Sequence, residues 1–146
     1  MLDTIRVIQQ IEVFHGLNAA QLEQIAAQIQ RESYASGTVI IEQDAAGDRM
    51  YMIAQGQVEV LKRDPRGGLR TTLFLGEGQV FGELALLDQG ARTATVRADE
   101  DPTILYSLSR TAFQALCDSD ALLGYLMMRN LALDLAFKMR HQHLDN

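Results

Sequence analysis

Cys117 is the only cysteine in 146 residues, which excludes an internal disulfide framework and a cysteine-rich zinc site. No apolar run is long enough to span a bilayer, and the N-terminus lacks the pattern of a signal peptide. The chain therefore reads as cytoplasmic, or as the cytoplasmic piece of something larger. Excess positive charge is missing too. The formal net charge is −6, which argues against a general nucleic-acid binder, whose footprint is a basic patch. That balance still leaves room for one small anion wherever a few donors converge. The three histidines, His15, His141 and His143, all fall outside the strand-rich middle of the chain. A cupin-type enzyme, which needs metal-ligating histidines inside its roll, is excluded by that. Low-complexity linkers and internal repeats are absent as well.

What is present suits one domain over residues 1–146, with an ordinary share of apolar residues (47%) and of charged ones (22%). The chain has three parts. In residues 1–30, "LNAAQLEQIAAQIQ" places Asn18 as an N-cap with Gln21 three residues on, the spacing of a capping box. Leu22, Ile25, Ala26 and Ile29 follow on one helical face, and "TIRVIQQIEVF" ahead of them predicts a further helix. Residues 31–108 carry short β-branched and aromatic runs at Val39–Glu42, Met50–Ala54, Val58–Lys62, Leu69–Leu75, Thr93–Arg97 and Ile104–Leu108. Glycine-rich turn signals separate them, and this regular spacing predicts a barrel or double-sheet roll. Met50, Tyr51 and Met52 belong to its core. Residues 109–143 are helical again, with Ser109 as a cap and a long helix through "DSDALLGYLMMRNLALDLAFKMRHQH". Its apolar residues fall on two faces, Leu122, Leu126, Leu133 and Phe137 on one, Met128, Leu131, Leu135 and Met139 on the other. A helix with two apolar faces has two things to bury against.

The chemistry concentrates in "GEGQVFGELALLDQGARTATVRA", Gly76 to Ala98. "FGELALL" suits a single helical turn after a tight bend at Gly82, which permits close backbone approach. The N–H groups of Leu84 and Ala85 in that first turn are expected to be free for an anion. Glu83 adds a negative charge there, which makes sense if it accepts a hydrogen bond from a ligand hydroxyl. Arg92 supplies a charge-assisted contact to a phosphate, and Thr93 adds a hydroxyl donor. A plainer alternative stands beside this one: Glu83 caps the short helix and pairs with Arg92 on the surface.

The order of these residues resembles the phosphate-binding cassette of cyclic nucleotide-binding domains, approximately F-G-E-[LI]-A-L-[LI], a variable stretch, then R-[AST]-A-[TSW]-V. Phe81, Gly82, Glu83, Leu84, Ala85, Leu86, Arg92, Ala94 and Val96 fill every fixed position. "SGTVIIEQDAAGDRMYMIAQGQVEVLKR" is similar to the family's opening strands and "ADEDPTILYSLSRTAFQAL" to its last strand and B helix, so the likeness runs from about residue 14 to 140. The frequent proline before the arginine is Ala91 here, which loosens the turn and removes no ligand contact. The resemblance implies an α+β fold, an antiparallel, jelly-roll-like β-roll with its cassette at 81–94, flanked by N-terminal helices and by C-terminal B and C helices.

It also implies a ligand, cyclic AMP or cyclic GMP, and no metal. Glu83 would bind the ribose 2′-hydroxyl and Arg92 the exocyclic phosphate oxygens, supported by the Gly82, Leu84 and Ala85 backbone. Threonine at position 93 occurs in relatives of both preferences and leaves the base open. The base-facing lid would come from the last helix, with Lys138, Met139, Gln142 and His143 as candidates. His141 and His143, two apart on a helix, point to different sides and do not share a metal. His15 and Cys117 lack partners that would make a base or nucleophile, so the expected role is a non-catalytic sensor. Its partners would be the nucleotide and a second copy or downstream effector met through the last helix, with no membrane insertion. Two other readings stand: the effector half of a catabolite-activator-like regulator, whose basic helix-turn-helix would lie beyond Asn146 so that this chain would not contact DNA, and a domain kept for dimerisation alone. The presence of both Glu83 and Arg92 weighs against the last.

Overall fold

The computed structural model describes residues 2–144, with side chains over 3–141. Two four-stranded antiparallel sheets face each other. β1 (Gln30–Tyr34), β8 (Thr103–Ser109), β3 (Arg49–Gln55) and β6 (Val80–Phe81) form one, in that order. β2 (Val39–Ile41), β7 (Thr95–Ala98), β4 (Val58–Arg63) and β5 (Leu69–Leu75) form the other. The helices α1 (Leu2–Ile8), α2 (Ala19–Ala26), α4 (Arg110–Ser119) and α5 (Ala121–Leu144) flank this roll, and the single turn α3 (Leu84–Leu87) interrupts it. The expected α+β β-roll is what the chain forms.

Strand alternation divides the core in two, because neighbouring side chains point to opposite faces of a sheet. In β3, Met50 and Met52 meet the helices, with Ile8, Phe14, Phe113, Leu123 and Met127. Tyr51 and Ile53 point into the roll, with Val58, Leu75, Phe81 and Val96. Tyr51 stacks on Phe81, its β6 partner in the ladder, at 5.1 Å between ring centroids.

The Asn18 capping box forms as expected, the side chain accepting from Gln21 N at 2.8 Å while Gln21 Oε1 accepts from Asn18 N at 2.9 Å. Ser109 likewise caps α4 through Ala112 N. Four expectations change. "TIRVIQQIEVF" is not one helix: α1 stops at Ile8 and a 3-10 turn follows at Glu12–Phe14. Ile8, Ile11, Val13 and Phe14 are all buried, a spacing that an unbroken helix would not deliver to one side. The strand expected from Thr93 starts at Thr95, because Arg92 to Ala94 belong to the site described below. The long helix starts only after Asp120, whose side chain accepts from Leu123 N at 3.1 Å and opens a new first turn. The faces of α5 also differ: the buried one is Leu123, Met127 and Leu131 with polar Asn130 and Asp134 between them, and Met128 and Met139 lie exposed with Leu122, Leu133 and Phe137. Asn130 Nδ2 donates to the carbonyls of Val13 (2.9 Å) and His15 (2.8 Å), fixing α5 to the N-terminal turn.

Candidate functional site

Between β6 and β7 the chain makes one tight turn. Gly82 has φ +73, and a Cβ there would sit 2.7 Å from Arg92 Nη1, so glycine is required twice over. In α3, Ala85 N donates to Gly82 O at 3.2 Å and Leu86 N to Glu83 O at 3.1 Å. The Ala85 N–H expected to be free is therefore engaged, because a single turn this tight closes its own i→i+3 bonds.

Arg92 is woven into the loop between β2 and β3. Its N–H donates to Ala45 O and its carbonyl accepts from Asp44 N, both at 2.8 Å. The guanidinium donates to two carbonyls, Gly82 O at 3.2 Å and Arg49 O at 3.0 Å. It is only 8% exposed, and among the described residues no carboxylate lies within 4.0 Å of its nitrogens. Burial lowers its pKa, the signature of a cation that lacks full compensation.

Glu83 is 6% exposed and does not cap α3. Its partner is Lys138 of α5, which donates to Glu83 Oε2. The surface pairing of Glu83 with Arg92 does not occur, since both side chains are buried and Glu83 takes its cation from α5. Lys138 Nζ also donates to Val80 O at 2.6 Å and lies 3.2 Å from Asp134 Oδ2. Burial, and next the neighbouring Asp134 carboxyl, push the Glu83 carboxyl up to about 7 against the pull of Lys138. Asp134 is pushed up as well, mainly by burial.

Glu83, Arg92 and Lys138 line one cavity of about 640 Å³ including its mouth, with Thr93, Ala94, Phe81, Leu84 and Ala85 around the same space. Ile41, Val60, Leu73, Leu75 and Val96 of the second sheet give it an apolar wall, with Lys62 of the same sheet also on its lining. Of the expected lid residues, Lys138 reaches this cavity, Met139 is 63% exposed and does not line it, and Gln142 and His143 lie outside the described side chains. A second hollow adjoins it across Lys138, lined by Phe74, Asn130, Asp134, Phe137 and His141 among others.

Arg110 and Asp134 escaped the sequence reading, and Gly47 figured there only as a turn residue. Arg110 opens α4 and donates to Ala85 O at 2.7 Å and Gly47 O at 2.8 Å, tying α3 to the loop behind Arg92. Asp134 had a local signal in its i,i+4 spacing to Lys138, and Gly47 in its turn, while Arg110 had none.

The arrangement holds a buried cation and a buried carboxylate at two points of one half-apolar cavity, a fit for a ligand that is anionic at one point and hydroxylated at another. Comparison with known proteins agrees. The family described as "Cyclic nucleotide-binding domain" matches residues 31–120. The "Cyclic AMP receptor protein" of Thermus thermophilus is 35% identical over 133 residues, 91% of this chain and 59% of that protein. A "cAMP-dependent protein kinase regulatory subunit" of Blastocladiella emersonii is 35% identical over 91 residues, 62% of this chain and 23% of the relative. The chain thus spans about three fifths of the first relative's length and a smaller part of the second. The crystal structure of a cyclic nucleotide-binding domain from Methylobacillus flagellatus superposes with a TM-score of 0.86 at 23% identity, over 97% of this chain and 79% of that one, a likeness of fold. The chain belongs to the cyclic nucleotide-binding domain family.

Proposed function

We propose that this chain is a non-catalytic sensor of cyclic AMP whose ligand biases the position of the C-terminal end of α5. The observation that carries the reading is Arg92: a buried guanidinium, satisfied only by carbonyls, that lines a cavity. Burying a cation without an anion is costly, and the phosphate of the ligand supplies one. Glu83, on the same cavity, accepts the ribose 2′-hydroxyl, and the apolar wall of Ile41, Val60, Leu73 and Leu75 receives the flat base. The names of the two relatives, a cyclic AMP receptor and a cAMP-dependent regulatory subunit, support cyclic AMP as the ligand. Binding favours whichever placement of α5 offers the better cavity, and differential affinity sets how far the population moves.

One observation favours a second reading. Thr93 lines the cavity, where its hydroxyl can serve a guanine as well as a phosphate, and a cyclic GMP preference follows if it does. The reading as the effector half of a transcription regulator is supported by the likeness to the N-terminal domain of a transcriptional regulator from Streptomyces coelicolor, with a TM-score of 0.79 at 25% identity.

Calorimetric titration of Arg92→Ala with cyclic AMP tests the proposal. The variant should lose at least about 2 kcal/mol of binding free energy, the scale of a buried charge-assisted contact. An unchanged affinity would remove Arg92 from the phosphate site.

A further inference from the structure

Glu83 and Asp134 are two nearly sealed carboxylates, with side chains 8% and 5% exposed, and one ammonium serves both. Lys138 comes from α5, 55 residues after Glu83 in the chain. Its Nζ is fixed by the Val80 carbonyl, by Glu83 Oε2 and by the ion pair with Asp134, whose buried Oδ2 has no hydrogen-bond partner. Two of the ammonium's three protons go to these two acceptors, Val80 O and Glu83 Oε2, and the Asp134 charge lies beside it, so it holds a direction. Beyond Asp134, the side chains of Ala136, Phe137, Met139, Arg140 and His141 are exposed, which among the described residues leaves Lys138 as the polar tie between this end of α5 and the cassette.

We propose that Lys138 is a positioning residue for the sugar side of the cavity: it takes Oε2 of Glu83 and holds the carboxylate so that Oε1 can accept a ligand hydroxyl. This rests on the reading of Glu83 as the sugar acceptor. Burial and Asp134 already favour a proton on Glu83, and without the ammonium nothing in the cluster opposes it. Glu83 would then share that proton with Asp134 and lose strength as an acceptor for the ligand. Because the ammonium belongs to α5, recognition of the sugar and the placement of α5 become one event. Asp134 and Glu12 are the other acids that bear on the cluster, and both favour retention of the ammonium.

Titration with cyclic AMP and with 2′-deoxy-cyclic AMP tests this, on the unmodified protein, on Lys138→Met and on Lys138→Arg. Lys138→Met should bind cyclic AMP about tenfold more weakly and 2′-deoxy-cyclic AMP within about twofold of the unmodified protein, since only the first ligand uses Glu83. Lys138→Arg should restore part of the preference. Amide hydrogen exchange over residues 135–144 should be faster in Lys138→Met, which reports the tie to α5 without any ligand. Equal losses for both nucleotides would make Lys138 a structural support only, and a gain in cyclic AMP affinity would make it a competitor; either result overturns the inference. If the unmodified protein binds neither nucleotide, the functional reading itself fails and takes the inference with it, a result distinct from the other two.

Discussion

Gly47 and Arg92 are packed so closely that a Cβ on the glycine would overlap the guanidinium at Nε and Cζ. The cation is shelved against backbone, and the same glycine offers its carbonyl to Arg110. The Arg92 side of the cavity is therefore shaped by a loop that lies about a third of the chain before that arginine.

Gly47→Ala should displace Arg92. A methyl group forced into a filled space costs about 1–3 kcal/mol, and cyclic AMP affinity should fall with it. Gly76→Ala is the control, since its Cβ would meet only Gly56 O at 4.0 Å. Thermal denaturation and titration of both variants check this, and equal behaviour of the two would contradict the shelf.

Arg110→Met should loosen α3 and the Gly47 loop together. It removes the donors to Ala85 O and Gly47 O, charge-assisted bonds worth about 1.5–3 kcal/mol each. Weaker cyclic AMP binding with the roll still folded, read by circular dichroism and titration, is the expected outcome. Full retention of affinity would show that the cassette holds its shape without α4.

Asn130→Leu should lower stability by about 1–3 kcal/mol, because the Val13 and His15 carbonyls lose a buried donor. Asn130→Asp should cost more, as it sets a carboxylate against both carbonyls. Denaturant unfolding measures both, and a neutral Asn130→Leu would remove the clamp from the account.

Stability should depend on pH through Glu83. Its carboxyl, raised from 4.5 to about 7 in the folded chain, binds a proton more tightly there than in the unfolded one. The stabilisation is fully present below about 4.5 and is lost as the pH rises towards about 7. Asp134, also raised, adds in the same direction, and Lys138 opposes it at Glu83. The melting temperature of the unmodified protein should therefore fall more steeply between those values than that of Glu83→Gln. Parallel curves would contradict the burial of an ionisable Glu83. In binding, Glu83→Gln should weaken cyclic AMP more than 2′-deoxy-cyclic AMP, and equal losses would separate Glu83 from the ribose hydroxyl.

Local features were legible in the sequence. The cassette is contiguous, its turn needs glycine and its cation follows ten residues on, so Gly82, Glu83 and Arg92 could be singled out together. β5 appears at the expected Leu69–Leu75, because β-branched runs between glycine turns mark it on both sides. β1, "QRESY", went unseen because it is polar and half exposed, and β6 because it has two residues. In α5 the buried face includes Asn130 and Asp134, so apolar periodicity alone grouped exposed Met128 and Met139 with buried Leu131. The link of Lys138 to Glu83 spans 55 residues, and only tertiary packing creates it.

The most direct measurement is calorimetric titration of the unmodified protein with cyclic AMP and cyclic GMP side by side, with Arg92→Ala in parallel. The account predicts saturable binding of one nucleotide per chain, cyclic AMP the tighter, and loss of at least about 2 kcal/mol in the variant. No binding of either nucleotide, or binding that Arg92→Ala leaves unchanged, would contradict it.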